Sequence, residues 1–273
     1  MARKKNKNAA LELLPVEGAG NRFLLLNGFA GPVPDNPGGL AMVMCRAGGG
    51  SAFKPDGLLL LQRPSKDAPG AIVRMVLYNA DGTRPEACGN GLRCVARVAV
   101  DRGYAAAGEF RVETDSGQRR VRVEAKKAPV VTVEIGQAEL GAQWEELEVG
   151  DERVRGRRVD MGNPHFVLEA RAWNDADVAR LGPALTAHAA FEAGANIGFP
   201  SLAEDGAIEL RVHERGVGET RACGTGACAA AAVHGPESGA CQVPVRLPGG
   251  QLLVERDEAG VYWLNGPVSC GAK

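Results

Sequence analysis

The 273-residue chain contains no apolar run near the roughly 20 residues that a membrane helix needs, since "GLLLLQRP" (57–64) turns polar within a few positions. It also lacks a dominant charge. Thirty-two Lys and Arg face thirty-three Asp and Glu, a net charge of −1, which argues against a nucleic-acid surface or an acidic tail and makes a small molecule the expected partner. The start "MARKKNKNAALELLPVEG" lacks a signal-peptide core, because Glu12 interrupts the apolar stretch and Pro15 stops it. Residues 1 to about 10 are therefore read as a loose arm, and the protein as soluble and cytoplasmic, with no membrane partner. Nucleotide signatures are missing too: neither "GNGLRC" nor "GTGACA" supplies the Lys-Ser/Thr of a phosphate loop, and "GAGNRF" lacks the third glycine of a dinucleotide turn.

Seven cysteines make an odd number in a chain without a secretory signal, so a disulfide framework is not expected. No C-x2-C knuckle occurs. Cys88 with Cys94 and Cys223 with Cys228 are spaced C-x5-C and C-x4-C, and no metal is expected. Cys45, Cys241 and Cys270 follow no pattern and read as small buried hydrophobes.

What the chain has instead is a phrase said twice. "RPEACGNGLRCVARVAV" (84–100) is echoed by "ETRACGTGACAAAAV" (219–233), and Cys88 and Cys223 stand 135 positions apart, close to half the length. This suggests a protein built twice. Alternation marks strands around the two phrases: Val121 and Val123 share one face of "RRVRVEAKK", opposite Arg120, Arg122 and Glu124. Further strands are read at 130–135, 153–162, 207–216, 243–247 and 251–257, with "PGG" (248–250) as a hairpin turn. Helices are read from Leu92 to Arg102, stopped by Gly103, and from Ala227 to His234, stopped by Gly235-Pro236, with Asn90 and Thr225 as N-caps. A third helical region, Asn174 to Phe191, is expected to break near Gly182-Pro183. The acidic stretch 141–156 is taken as the connection between halves. Many strands with one sharply placed helix per half indicate an α+β protein with antiparallel or mixed sheets.

A Cys-Gly-x-Gly turn opening a helix has a definite chemistry. Its glycines let successive N–H groups converge, and the helix start adds about half a positive charge, so the turn suits a carboxylate and favours thiolate over thiol. One such site could hold a nucleophile. Two, if they face one carbon, allow one thiolate to remove an α-proton while the opposite thiol returns a proton to the other face.

"GAGNRF" (18–23), "NADGTRPEACGNGLRC" (79–94), "MGNPHFV" (161–167), "NIGF" (196–199) and "ERGVGETRACGTGAC" (214–228) resemble, in order and spacing, the signature blocks of the diaminopimelate epimerase family. The resemblance spans about Gly18 to Pro267. It implies two pseudo-symmetric α/β halves, each a mixed barrel-like β-sheet around a central helix, with the active site in the cleft between them. Residues 1–133, completed by 263–273, would carry Cys88, and residues 134–262 would carry Cys223. It further implies cofactor-independent interconversion of L,L- and meso-diaminopimelate, in lysine and cell-wall precursor synthesis, and leaves a homodimer open.

Carried over by residue, the resemblance makes Cys88 and Cys223 the acid/base thiols. Gly89, Asn90, Gly224 and Thr225 would donate N–H groups to the carboxylate at the reacting centre. Asn21, Asn79, Asn163, Asn196 and Arg215 would hold the distal amino-acid end, for which a guanidinium fork is suited. Glu214 would lie on the reacting side. His165 resembles the family histidine near the first cysteine, where it could tune or relay the proton; a loop histidine satisfied by backbone is the other reading. His188, His213 and His234 are taken as structural or surface residues, and Arg93 and Glu86 as flanking the turn. Two positions depart from the family pattern: Arg22, where an Asp is usual, and Phe166, where a small residue or cysteine is common. The rival readings are a sibling racemase acting on histidine or proline, a pyridoxal enzyme with a Schiff-base lysine, and a non-catalytic anion-binding scaffold.

Overall fold

The computed structural model describes residues 11–46, 53–85, 88–124, 129–236 and 241–271. The N-terminal arm and Glu86 lie outside the described residues. The chain divides into two compact units, Met1–Val131 with Val268–Lys273, and Thr132–Pro267.

In the first unit, β1 (Leu13–Gly18) and β2 (Asn21–Asn27) lead to α1 (Pro37–Arg46), β3 (Gly57–Gln62), β4 (Ala71–Asn79), α2 (Gly89–Asp101), β5 (Gly108–Thr114) and β6 (Gly117–Val123), and β7 (Val130–Gln137) leaves it. Neighbours pair in the order antiparallel β1–β2, parallel β2–β3, antiparallel β3–β4, parallel β4–β5 and antiparallel β5–β6. The sheet wraps α2, which packs against β1, β2, β3, β4 and β6. The four successive leucines of β3, Leu58 to Leu61, follow from this, because both faces are covered. Leu58 and Leu60 turn to a cluster with Ala41 of α1 and Val76, while Leu59 reaches Gly91 of α2. Each such leucine contributes about 2 kcal/mol by burial.

The second unit runs β8 (Glu139–Leu140), β9 (Glu145–Val149), β10 (Glu152–Asp160), β11 (Pro164–Leu168), α3 (Asp175–Thr186), β12 (Asn196–Leu202), β13 (Ile208–Glu214), β14 (Gly218–Thr220), α4 (Gly224–His234), β15 (Cys241–Leu247), β16 (Gly250–Arg256) and most of β17 (Val261–Cys270). Its pairing repeats the first unit's: antiparallel β10–β11, parallel β11–β12, antiparallel β12–β13, parallel β13–β15, antiparallel β15–β16. The central helix α4 packs against β10, β11, β12, β13, β15 and β16, and α3 covers the outer face over a cluster including Phe166, Leu181, Leu185 and Ile197. Duplication is thus visible in topology as well as in the two phrases. The last residues of β17 return to the first unit, where Val268 to Cys270 pair with Gly18 to Val16 of β1.

Several expectations change. The stretch 141–156 is no connection; most of it forms the β9–β10 hairpin of the second unit. Helix α3 runs through Pro183 unbroken, because Val178, Leu181 and Leu185 are all fully buried and Gly182 lies against the His213 ring, so packing outweighs the missing N–H. Cys45, Cys241 and Cys270 are not buried, whereas Cys94, Cys223 and Cys228 are. Helix α1 was not expected; its glycines hid it, although Asn36 accepts the Gly39 N–H at 2.9 Å and Pro37 opens it. Among the described residues, no helix is long and apolar enough to cross a membrane.

Candidate active site

Helix α2 begins earlier than expected, and its N-cap is Cys88 rather than Asn90. Cys88 is extended (φ −154°, ψ 102°) and its Sγ accepts the Gly91 N–H at 3.3 Å, while its carbonyl accepts from Leu92 at 2.9 Å. A sulfur takes the role usually played by a Ser or Asp oxygen, and this seats the thiol at the positive end of the helix. Gly91 has no Cβ for a local reason: one would stand 2.9 Å from Leu59. Helix geometry leaves the Gly89 and Asn90 N–H groups without intrahelical acceptors. The Asn90 side chain accepts from Arg93 Nη2 at 2.7 Å and donates to Asn21 Oδ1, so Cys88, Asn90 and Asn21 form one cluster. Asn79, at the end of β4, is instead tied into its own turn, with Nδ2 donating to Thr83 Oγ1 at 3.0 Å.

The second unit repeats this. Cys223, not Thr225, caps α4, with Sγ accepting the Gly226 N–H at 3.4 Å and its carbonyl accepting from Ala227 at 3.0 Å. As Asn21 meets Asn90, so Asn163 donates to Thr225 Oγ1 at 3.4 Å. Thr225 Oγ1 lies 3.6 Å from Cys223 Sγ. The Asn163 oxygen faces His165 Nε2 at 3.1 Å. Asn196 accepts the Arg215 N–H at 2.9 Å and donates to the Pro164 carbonyl, and the exposed Arg215 guanidinium donates to Ala193 O at 2.8 Å. Cys223, Thr225, Asn163 and His165 are therefore linked, and Asn196 pairs with Arg215.

The two units differ in what surrounds this common frame. Phe23 lies opposite Gly57 across the parallel β2–β3 pair, and the same place in the second unit holds His165 opposite Asn196. A side chain at Gly57 would stand 2.6 Å from the Tyr78 carbonyl. One half is apolar and tightly closed there; the other presents an imidazole, an amide and a guanidinium. Phe166 points to the opposite face of β11, where its ring lies 5.3 Å from Phe191 and covers Gly156, so it belongs to the core. Arg22 is held through its backbone, whose N–H donates to Asp56 at 2.8 Å and whose carbonyl accepts from it at 2.7 Å.

Electrostatics distinguish the groups further. Burial pushes the Cys223 thiol above its ordinary value, the Glu214 charge adds to this, and the donors Thr225 and Gly226 pull the other way. At Cys223 desolvation therefore opposes the pull of the helix start toward thiolate. The Glu214 carboxylate whose charge acts on this thiol accepts from Thr220 Oγ1. His165 is 2% exposed and burial drives its pKa down to about 3, so it is neutral at physiological pH. With the Asn163 amide donating to Thr225, its oxygen takes the Nε2–H of that neutral ring. Sequence reasoning missed Thr220 and Arg93. Thr220 had a signal, a hydroxyl opposite Val212 in a tight β13–β14 hairpin that brings it beside Glu214. Arg93 is fully buried rather than flanking the turn. Among the described residues, no group of three or more His, Cys, Asp or Glu side chains is placed to hold a metal ion.

The family model for diaminopimelate epimerase matches residues 16–141 and 157–270. The chain belongs to the diaminopimelate epimerase family. It is 40% identical to the diaminopimelate epimerase of Desulforudis audaxviator over 94% of this chain and 96% of that one, and 38% identical to that of Thioalkalivibrio sulfidiphilus over 95% and 96%. Among solved structures it shares the fold of a probable proline racemase from Agrobacterium radiobacter (TM-score 0.68, 16% identity, 95% of this chain and 91% of that one). A hydroxyproline epimerase from Agrobacterium vitis is similar to the same degree (TM-score 0.69, 15% identity, 97% and 92%). At such identities the structures report the fold alone: a mixed barrel-like sheet about a central helix, twice over, as the epimerase family requires.

Proposed function

We propose that the chain epimerises L,L-2,6-diaminopimelate to the meso isomer, with Cys88 and Cys223 as the two acid/base groups and no cofactor. The observation that carries the reading is the repeated cap: in each unit a cysteine sulfur closes the N-terminus of the central helix. An acid and a base of the same type, on two copies of one device, match a reaction whose forward and reverse directions exchange their roles. One thiolate takes the α-proton and becomes a thiol. The other thiol delivers its proton to the opposite face and becomes a thiolate, so the net change is inversion alone. The α-carboxylate, on which charge grows as the proton leaves, is received by the N–H groups of Gly89, Asn90, Gly224 and Thr225. Glu214 holds Cys223 protonated until it is used, and Thr225 is placed to donate to its sulfur once ionised.

Asn21, Asn79, Asn163, Asn196 and Arg215 hold the distal amino-acid group, and His165 acts from its neutral form. The Asn196 amide and the Arg215 guanidinium favour this substrate over proline or histidine, which have no second amino-acid end to satisfy them. Purified protein, in reducing buffer without added cofactor, is expected to convert L,L-diaminopimelate to the meso form, read by chiral chromatography. Racemisation of L-proline or L-histidine in place of that conversion contradicts the substrate, and loss of activity on removing bound pyridoxal contradicts the chemistry.

A further inference from the structure

The buried Arg93 lies one turn along the helix that Cys88 opens, where it is fully enclosed. A guanidinium can only donate hydrogen bonds. The atom of Asn90 that meets Arg93 Nη2 at 2.7 Å is therefore the amide oxygen. The Asn90 NH2 is then the end that meets Asn21, and the Asn21 atom 2.5 Å away must be its oxygen. Amide orientations are commonly ambiguous, but here a donor-only group at the foot of the chain removes the ambiguity at both asparagines.

We propose that Arg93 is a positioning residue that sets the polarity of the series Arg93→Asn90→Asn21, so that Asn21 turns its NH2, not its oxygen, toward the ligand. The group taken there is an oxygen acceptor, a carboxylate, and not an ammonium. This rests on the reading of Asn21 as ligand-facing. The second unit is built differently at the same place. The α4 residue at the place of Arg93 is Cys228, which cannot supply such a donor, and Thr225 is instead oriented by Asn163, whose oxygen is committed to His165. In both units the polar side chain at the helix start meets an asparagine, Asn90 with Asn21 and Thr225 with Asn163.

Two measurements test this. In Asn21→Asp, the carboxylate still accepts from Asn90 but presents an anion where the NH2 stood. The expected result is a fall of roughly a hundredfold in kcat/KM for diaminopimelate, mainly through KM, with the melting temperature retained. Unchanged or tighter binding shows an oxygen facing an ammonium and overturns the proposal. Independently of turnover, the Asn90 side-chain NH2 is followed by NMR hydrogen exchange. Protection is expected in the native protein, lost in Arg93→Met and restored in Arg93→Lys, which is again donor-only. Protection unchanged in Arg93→Met overturns the proposal even if the protein proves to act on another substrate. Should Arg93→Met not fold, Asn90→Asp, which keeps the acceptor for Arg93 but has no donor for Asn21, must reproduce the KM effect of a mis-set Asn21.

Discussion

At the scale of single residues, the site is governed by which groups are kept neutral. His165 titrates at about 3 in the folded protein because burial disfavours its charged form. The unfolded chain takes up its proton near pH 6.5, so stability attributable to this histidine is full above that pH. It is lost as pH falls from about 6.5 toward 3, by up to ~1.4 kcal/mol per pH unit. Denaturant titrations are expected to show a shallower acid loss in His165→Asn than in the native protein; equal slopes would contradict the assignment. Cys223 is the mirror case, with burial and Glu214 holding the proton on. The alkaline limb of the kcat/KM profile is therefore expected above the ordinary thiol value, and Glu214→Gln, which removes the raising charge, should move it to lower pH. A limb that stays in place or moves up would remove Glu214 from this role.

At the scale of elements, the cap is separable from the chemistry. Serine in place of either cysteine keeps an N-cap, and alanine does not, so Cys88→Ser and Cys223→Ser should each be more stable than the alanine variants by ~1 kcal/mol while epimerisation is lost in all four. Chemical denaturation read beside activity checks both halves of this. The elements themselves were unevenly legible in sequence. Alternating Val121 and Val123, the "PGG" hairpin and the glycine stops of the two central helices all express local rules, and the structure follows them. Their first turns did not, because no propensity scale anticipates a cysteine sulfur as the cap. Helix α3 survives Pro183 because three of its own side chains, Val178, Leu181 and Leu185, are buried against other elements, and in α1 Gly38 sits so close to the Gly82 carbonyl that a Cβ would stand 2.9 Å from it. Such contacts are long-range and leave no local trace. The signature blocks named the candidate site residues, but the contacts of Arg93 with Asn90 and of Thr220 with Glu214 needed coordinates to be seen.

At the scale of the molecule, two units with the same order of parallel and antiparallel pairs share one chain whose end returns to the first unit. Val268, Ser269 and Cys270 are the partners of β1, and the Gly271 N–H donates to Pro15 at 2.9 Å. Truncation after Pro267 should destabilise the first unit by on the order of 3 kcal/mol and expose β1 to limited proteolysis, with the second unit's fragment persisting. The duplication also states the central claim in its strongest form, that two equivalent thiols do one reaction. Deuterium uptake at the α-carbon of L,L-diaminopimelate in D2O, followed by NMR for the native protein, Cys88→Ala and Cys223→Ala, tests it most directly. Uptake with formation of the meso isomer is expected in the native protein, and no epimerisation by either variant. Substantial epimerisation by either single variant would contradict it.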